Sequence, residues 1–96
     1  MEDSIGFKES VKIPVEDSID LHTFSPRDIP SLLEEYIKEC INKGIIKVRI
    51  IHGKGVGVQR DIVHSFLEKN PQVYFFSQAP PEAGGWGATI AILKEK

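Results

Sequence analysis

Two short segments of the sequence carry residues suited to phosphate chemistry. The first is Asp20-Leu21-His22, in which a carboxylate and an imidazole lie two residues apart. At the end of a strand both side chains point to one face, where the carboxylate can orient the ring and fix its tautomer, or bind a metal ion. An Asp-x-His pair also arises by chance, and a histidine at a strand end can simply cap a loop. Asp20 and His22 are therefore candidate catalytic residues that need a second feature beside them.

The second segment, His52-Gly-Lys-Gly-Val-Gly57, supplies that feature. Glycines between a strand and a helix let backbone N–H groups approach an anion closely, and the helix N-terminus adds a favourable partial charge. The pattern matches neither the GxxxxGK[ST] phosphate loop nor the full GxGxxG dinucleotide motif, which argues against ATP and NAD. A tight turn would explain the glycines, but it would not explain the histidine and lysine among them.

Positive charge is concentrated around this loop, although the whole chain has a net charge of −2. Residues 43–60 contain five basic side chains and no acid. A local basic stretch can hold a polyanion by phosphate contacts even in an acidic chain, although solvated surface charge is the alternative. The predicted phosphate-binding residues are Lys47, Gly53, Lys54, Gly55, Gly57 and Arg60.

Alternating and helical patterns predict the elements that must position these segments. Strands are predicted at 18–22, 45–51, 72–77 and 88–93, with helices from Ser25-Pro26 to Gly44 and from the glycine loop to Asn70-Pro71. In the second helix Val58, Ile62, Val63, Phe66 and Leu67 are assigned to the inner face and His64 to the solvent face.

The order βαβαββ predicts an α/β fold in which the first two strands are parallel neighbours. Two helices cannot cover both faces of four strands, so we expect a two-layer sandwich with both helices on one face of a mixed sheet. The carboxyl ends of the first two strands then lie side by side, where open α/β sheets bind ligands. His22 and His52 should approach each other there, with Asp20 behind them and Lys54 beside them.

Length and composition limit the remaining possibilities. Ninety-six residues with 41% hydrophobic and 27% charged residues predict one folded domain, 17–96, preceded by a flexible arm, 1–16. A single cysteine forms no internal disulfide, and the sequence has neither an 18-residue apolar run nor an apolar signal region. A cytoplasmic protein without membrane contact is the expectation.

The residues quoted above resemble the small MutS-related (Smr) domain family. The similarity covers residues 17–93 and rests on Ile19-Asp-Leu-His22, the His52 glycine loop and the closing Gly87-Ala-Thr89. It implies a βαβαββ fold, nucleic-acid binding and, in several members, endonuclease activity in which Asp20 and His22 are linked to cleavage. The chain is similar to a stand-alone, bacterial-type member. Thr23 departs from the pattern, because the family usually has glycine there.

Three functional hypotheses follow, one of them enzymatic. An endonuclease would cut RNA or branched DNA, either with His22 and His52 as base and acid against a ribose 2′-hydroxyl, or with Asp20 holding a divalent cation such as Mg²⁺ that activates water. The alternative is a non-catalytic module that docks on structured nucleic acid or a ribosome, with Trp86 as a stacking residue. A protein-interaction domain, in which the loop is only a turn, is a third interpretation.

Overall fold

A computed structural model describes residues 14–95 of the chain. Its regular elements are β1 (Asp17–Asp20), α1 (Ile29–Asn42), β2 (Lys47–Ile51), α2 (Val58–Lys69), β3 (Val73–Gln78) and β4 (Ala88–Leu93). The four strands form one sheet in the order β1-β2-β4-β3. β1 and β2 are parallel, and β4 is antiparallel to both of its neighbours. The predicted βαβαββ order and mixed sheet are confirmed.

Both helices cover the same face of the sheet. Buried side chains of α1 and α2 pack against inward-facing residues of the two central strands, because side chains in a strand alternate between its faces. The resulting core includes Leu33, Ile37, Val48, Ile50, Val63, Leu67, Ala91 and Leu93. The predicted two-layer sandwich is therefore confirmed. On the other face, Ala88 and Ile90 of β4 form a smaller cluster with Ala79, which lies in the connection between β3 and β4.

The prolines at the start of α1 shift where the regular helix begins. Pro26–Asp28 form a single 3₁₀ turn, and the α-helix starts at Ile29 with Pro30 in its first turn. A proline is tolerated there because the first N–H groups of a helix have no intrahelical acceptor. Ser25 precedes the 3₁₀ turn but makes no capping bond with its side chain. Gly44, with φ of +78°, follows the helix end as predicted.

Two local predictions require correction. β1 ends at Asp20, so His22 follows the strand and lies in the turn that begins at Leu21. Val58, assigned to the inner face of α2, is 51% exposed. Val58 is the first residue of the helix and directly follows the exposed glycine loop, so about half of its side chain remains in solvent.

The predicted N-terminal arm lies largely outside the described residues. Glu16, which was assigned to the arm, donates its backbone N–H to the carbonyl of Lys47 at 2.8 Å. Its carboxylate accepts the backbone N–H of Ile46 at 2.6 Å. Residue 16 is thus bonded to the start of β2. Neither described helix is long and apolar enough to cross a membrane.

Candidate nucleic-acid cleavage site

Asp20 and His22 form a direct pair at the rim of the sheet. Oδ1 of Asp20 lies 2.5 Å from Nδ1 of His22 and also accepts the backbone N–H of His22 at 3.0 Å. The strand and the turn hold the pair in place, because buried Leu21 between them donates its N–H to the carbonyl of Ile51 at 2.7 Å. Both side chains are about half exposed, at 52% and 54%. The pair is therefore fixed and open to solvent.

The pair also has a defined protonation pattern. Hydrogen bonds from the side chain and then the backbone of His22 lower the pKa of Asp20 below its usual value. An ionised carboxylate only accepts hydrogen bonds, so Nδ1 of His22 carries the proton in that bond. In the neutral ring the lone pair is then on Nε2, for which the described part of the chain provides no hydrogen-bond donor or acceptor. Nε2 is the atom available to take a proton from another molecule.

The glycine loop lies against this pair. A Cβ atom built on Gly53 would be 3.2 Å from Cβ of His22, and Gly53 has φ of +93°. Glycine is therefore required at position 53 both by the backbone conformation and by the close approach of the turn. The predicted meeting of the two segments at one rim is observed in the backbone.

A third segment completes the site. The carbonyl of Gly87 accepts the N–H groups of His52 at 3.0 Å and Gly53 at 2.9 Å. A Cβ on Gly87 would lie 2.9 Å from Cγ of Lys54, so the absence of a side chain at position 87 makes room for the lysine stem. The loop is thus held between the turn after β1 and the turn before β4.

The loop ends as the N-terminus of α2. Gly57 is the N-cap residue, with φ of +94°. In the described part of the chain, no acceptor bonds the backbone N–H groups of residues 54–58. These free N–H groups and the positive end of the helix dipole favour an anion beside the loop.

Two of the predicted cations lie at this end of the sheet, and one does not. Lys54 is exposed in the loop, and the guanidinium carbon of Arg60 lies 4.1 Å above the ring of Trp86. Lys47 begins β2, four residues before Ile51, and is therefore about 13 Å from the rim. That Lys47 binds phosphate stays a prediction; at this distance it would contact a different phosphate from the one beside the loop.

The prediction that the His52 ring faces the His22 ring is wrong. The ring of His52 is on the core side of the sheet and is only 1% exposed. Its Nε2 lies 2.9 Å from the hydroxyl of Thr89, and its Nδ1 lies 3.2 Å from the carbonyl of Gly53. The alternation of β2 explains the difference, because His52 continues the inward-facing series of Val48 and Ile50. In this conformation the His52 ring does not line the site and affects it only through its hydrogen bond to Gly53 in the glycine loop.

His64 is half-buried and joins the same hydrogen-bonded group, contrary to the prediction that it faces solvent. Its Nε2 lies 2.8 Å from the Thr89 hydroxyl, and its ring packs edge-on against Phe76 at 5.1 Å. Burial first, and the nearby Arg60 charge second, lower the pKa of His64. Burial is also the main cause that lowers the pKa of His52. Both rings are therefore favoured in the neutral form.

The hydrogen-bond donors among His52, Thr89 and His64 can be assigned by starting from the carbonyl of Gly53. A carbonyl only accepts, so Nδ1 of His52 donates to Gly53, and its neutral Nε2 accepts the hydroxyl proton of Thr89. The oxygen of Thr89 then accepts from Nε2 of His64. Thr89 was not recognised as a site residue from the sequence. The Gly87-Ala-Thr89 motif marked the position, but the histidines that it bonds are 37 and 25 residues away.

Asp20 is the one predicted metal ligand, and the described residues do not build a metal site around it. They contain no group of three or more His, Cys, Asp or Glu side chains placed to hold an ion. Oδ1 of Asp20 is already engaged by two donors from His22. Any bound Mg²⁺ would thus take most of its ligands from water and substrate, as Mg²⁺ often does.

Thr23 fits the turn without strain. It is exposed, and no described residue other than glycine has a positive φ. The backbone at position 23 therefore has a φ that residues other than glycine adopt readily.

Comparison with known proteins finds matches that cover most of the chain. The Smr domain family model matches residues 19–94. Endonuclease MutS2 of Lactococcus lactis subsp. cremoris is 36% identical over 86 residues, which are 90% of this chain and 11% of that protein. Endonuclease MutS2 of Streptococcus mutans is 47% identical over 62 residues, or 65% of this chain and 8% of that protein. The chain thus spans about a tenth of the length of these relatives.

Two solved structures share the fold. The crystal structure of the Smr domain of Thermus thermophilus MutS2 matches with a TM-score of 0.79 and 28% identity, covering 81% of this chain and 98% of that one. YdaL, a stand-alone small MutS-related protein from Escherichia coli, matches with a TM-score of 0.82 and 25% identity over 99% of this chain and 77% of that one. With the family model covering most of the sequence, the chain belongs to the Smr domain family.

Proposed function

We propose that this domain binds nucleic acid and cleaves its phosphodiester bonds, with His22 as the general base. The single observation that carries the proposal is the exposed Asp20–His22 pair, in which the carboxylate fixes Nδ1 and leaves Nε2 available. The name of the MutS2 relatives, endonuclease, supports the same reaction class.

The groups around the pair suit a phosphodiester. Free N–H groups at residues 54–58, at the N-terminus of α2, would donate hydrogen bonds to the phosphate oxygens, and Lys54 would add a positive charge. Groups that are already oriented stabilise the negative charge that grows on a phosphorane without reorganising during the reaction. The glycine loop would therefore position the phosphate and stabilise the transition state.

In this mechanism Nε2 of His22 takes the proton of the attacking hydroxyl, which belongs to water or to a ribose 2′-hydroxyl. Asp20 stabilises the imidazolium that forms and keeps the ring in place. The attacking oxygen bonds to phosphorus, and the bond to the leaving oxygen breaks. The same imidazolium or water returns a proton to that oxygen. His52 has no direct part, because its ring is buried and bonded at both nitrogens.

A second candidate function is nucleic-acid binding without cleavage. It is favoured by the fact that, of the histidines at positions 22, 52 and 64, only His22 is exposed at the site. An enzyme that used two accessible imidazoles as base and acid would lack the acid here. Binding needs only the loop, the cations and Trp86.

Incubation of the protein with end-labelled RNA, single-stranded DNA, duplex DNA and branched DNA, each with Mg²⁺ and with EDTA, tests the proposal. We expect at least one substrate to be cut. Cleavage with EDTA would show that no metal is needed, and cleavage of DNA would show that no 2′-hydroxyl is needed. Binding without cleavage of any substrate would contradict the nuclease proposal and support the second candidate.

A further inference from the structure

Exposed apolar side chains are concentrated around the candidate site. Of the seven large apolar residues exposed in the described part of the chain, four lie on the three segments that form it. They are Phe24 (44% exposed), Val56 (95%), Val58 (51%) and Trp86 (45%). A phosphate group needs N–H donors and cations, so it does not explain an apolar rim. A nucleobase does, because its faces are apolar.

The two aromatic residues of this rim are held by consecutive residues in the first turn of α2. Nε2 of Gln59 donates to the carbonyl of Phe24 at 2.6 Å and to that of Leu21 at 3.2 Å. Arg60, the next residue, covers one face of the Trp86 ring at 4.1 Å. Consecutive helical side chains point about 100° apart. The backbone at Phe24 and the ring of Trp86 are therefore contacted from different sides of the helix N-terminus.

Both aromatic residues are also close in the chain to residues that form the candidate site. Phe24 is two residues after His22 in the same turn, and its N–H donates to the carbonyl of Leu21 at 3.0 Å. Trp86 precedes Gly87 in the chain. The carbonyl of Gly87 accepts two hydrogen bonds from the start of the glycine loop, and the lack of a side chain at position 87 leaves room for the stem of Lys54. Phe24 and Trp86 therefore lie on the two turns that flank the glycine loop.

We propose that the site takes unpaired nucleotides, with a base against Trp86, another against Phe24, and the intervening phosphate at the N-terminus of α2. This inference rests on the proposed function and specifies its substrate. In a duplex both faces of each base are covered by its neighbours in the stack, whereas a base in a single strand, a loop or a branch point can stack on a protein ring. Arg60, stacked on Trp86, supplies a positive charge beside that base.

The fluorescence of Trp86, the single tryptophan of the chain, reports such stacking directly. We would titrate the His22→Ala variant, which cannot cut by the proposed mechanism, with short single-stranded RNA, single-stranded DNA, a blunt duplex of the same sequence and inorganic phosphate. Saturable quenching by a single strand, with a duplex at least about 10-fold weaker, is expected. Equal quenching by duplex and single strand, or none by either strand, would overturn the proposal.

Substitutions provide the second measurement. Trp86→Leu and Phe24→Leu should each weaken single-strand binding by about 10-fold or more, while Trp86→Phe should keep most of it. Tyr74→Leu is the matched control, because Tyr74 is an aromatic residue on β3 that is 69% exposed and lies outside the site segments. Circular dichroism of each variant checks folding. A loss with Tyr74→Leu equal to that with Trp86→Leu would contradict the proposal.

The two proposals fail in different ways. Stacking of unpaired bases with no cleavage of any substrate by the wild-type protein would remove the nuclease and keep this inference. Cleavage of blunt duplex as fast as single strand, with Trp86→Leu fully active, would remove this inference and keep the nuclease.

Discussion

Gly53 lies directly behind His22, with only 3.2 Å between the His22 Cβ and the position where a Cβ of residue 53 would be. This contact joins two segments that are 31 residues apart in the sequence and places the exposed imidazole beside the glycine loop. The carbonyl of Gly53 also accepts a hydrogen bond from buried His52. The glycine loop therefore connects the core with His22.

Replacement of Gly53 with alanine should therefore damage both stability and cleavage. A non-glycine residue at φ of +93° costs about 1–3 kcal/mol, and the new methyl group would press on His22. Gly55→Ala is the control, since Gly55 has no atom within 4 Å of its Cβ position and no positive φ. Urea denaturation should show a stability loss for Gly53→Ala only. Equal stabilities of the two variants would contradict the importance of this contact.

The hydroxyl of Thr89 should contribute measurably to stability. Thr89→Val keeps the shape but removes the group that bonds buried His52 and half-buried His64, so that one ring nitrogen of each loses its partner. A loss of about 1–3 kcal/mol in the free energy of unfolding is expected. Thr23→Val, at an exposed turn, should change it by less than about 0.5 kcal/mol. An unchanged midpoint for Thr89→Val in chemical denaturation would show that the hydroxyl is dispensable.

Stability should fall as the solution becomes acidic. Burial lowers the pKa values of His52 and His64 in the folded state below their ordinary value of 6.5. The unfolded chain then binds more protons, so their contribution is complete above pH 6.5 and is lost as the pH falls below it. His64→Gln should flatten the profile of unfolding free energy between about pH 8 and pH 5. A wild-type profile that is flat across this range would contradict the lowered pKa values of the two histidines.

Phosphate contact by Lys54 predicts a specific salt dependence. Lys54→Ala should weaken nucleic-acid binding and reduce the slope of log K against log salt by about 1. Lys38→Ala is the control, because Lys38 lies on α1, is 57% exposed and is near Glu34. Fluorescence anisotropy at several salt concentrations gives both slopes. If the slope of Lys54→Ala equals that of the wild type, Lys54 does not contact phosphate.

The sequence predicted the fold well because its hydrophobic periods were clear. The β4 strand was placed at 88–93, where the structure has it, since its run of apolar residues is bounded by a glycine-rich loop. The parallel pairing of β1 with β2 followed from the intervening helix. This pairing predicts that Asp20, His22 and the glycine loop lie at one rim of the sheet, and the structure shows them there.

Sequence reasoning fails where a polar side chain leaves solvent to bond a distant partner. Its polar character predicts that His64 faces solvent, but the ring is half-buried, and the Thr89 hydroxyl that compensates its lost hydration comes from β4. His52 was expected in the site because the position of its backbone was right. Which face its side chain takes depends on the strand register, and one residue reverses it.

The most direct test of the account is the single-turnover cleavage rate of His22→Ala, measured with protein in excess over a substrate that the wild type cuts. Loss of the general base should lower the rate by about 10²- to 10⁴-fold. Binding measured by anisotropy should stay within a few-fold of the wild type, since the loop and Lys54 remain. A His22→Ala protein that cuts at the wild-type rate would contradict the assignment of His22 as the base.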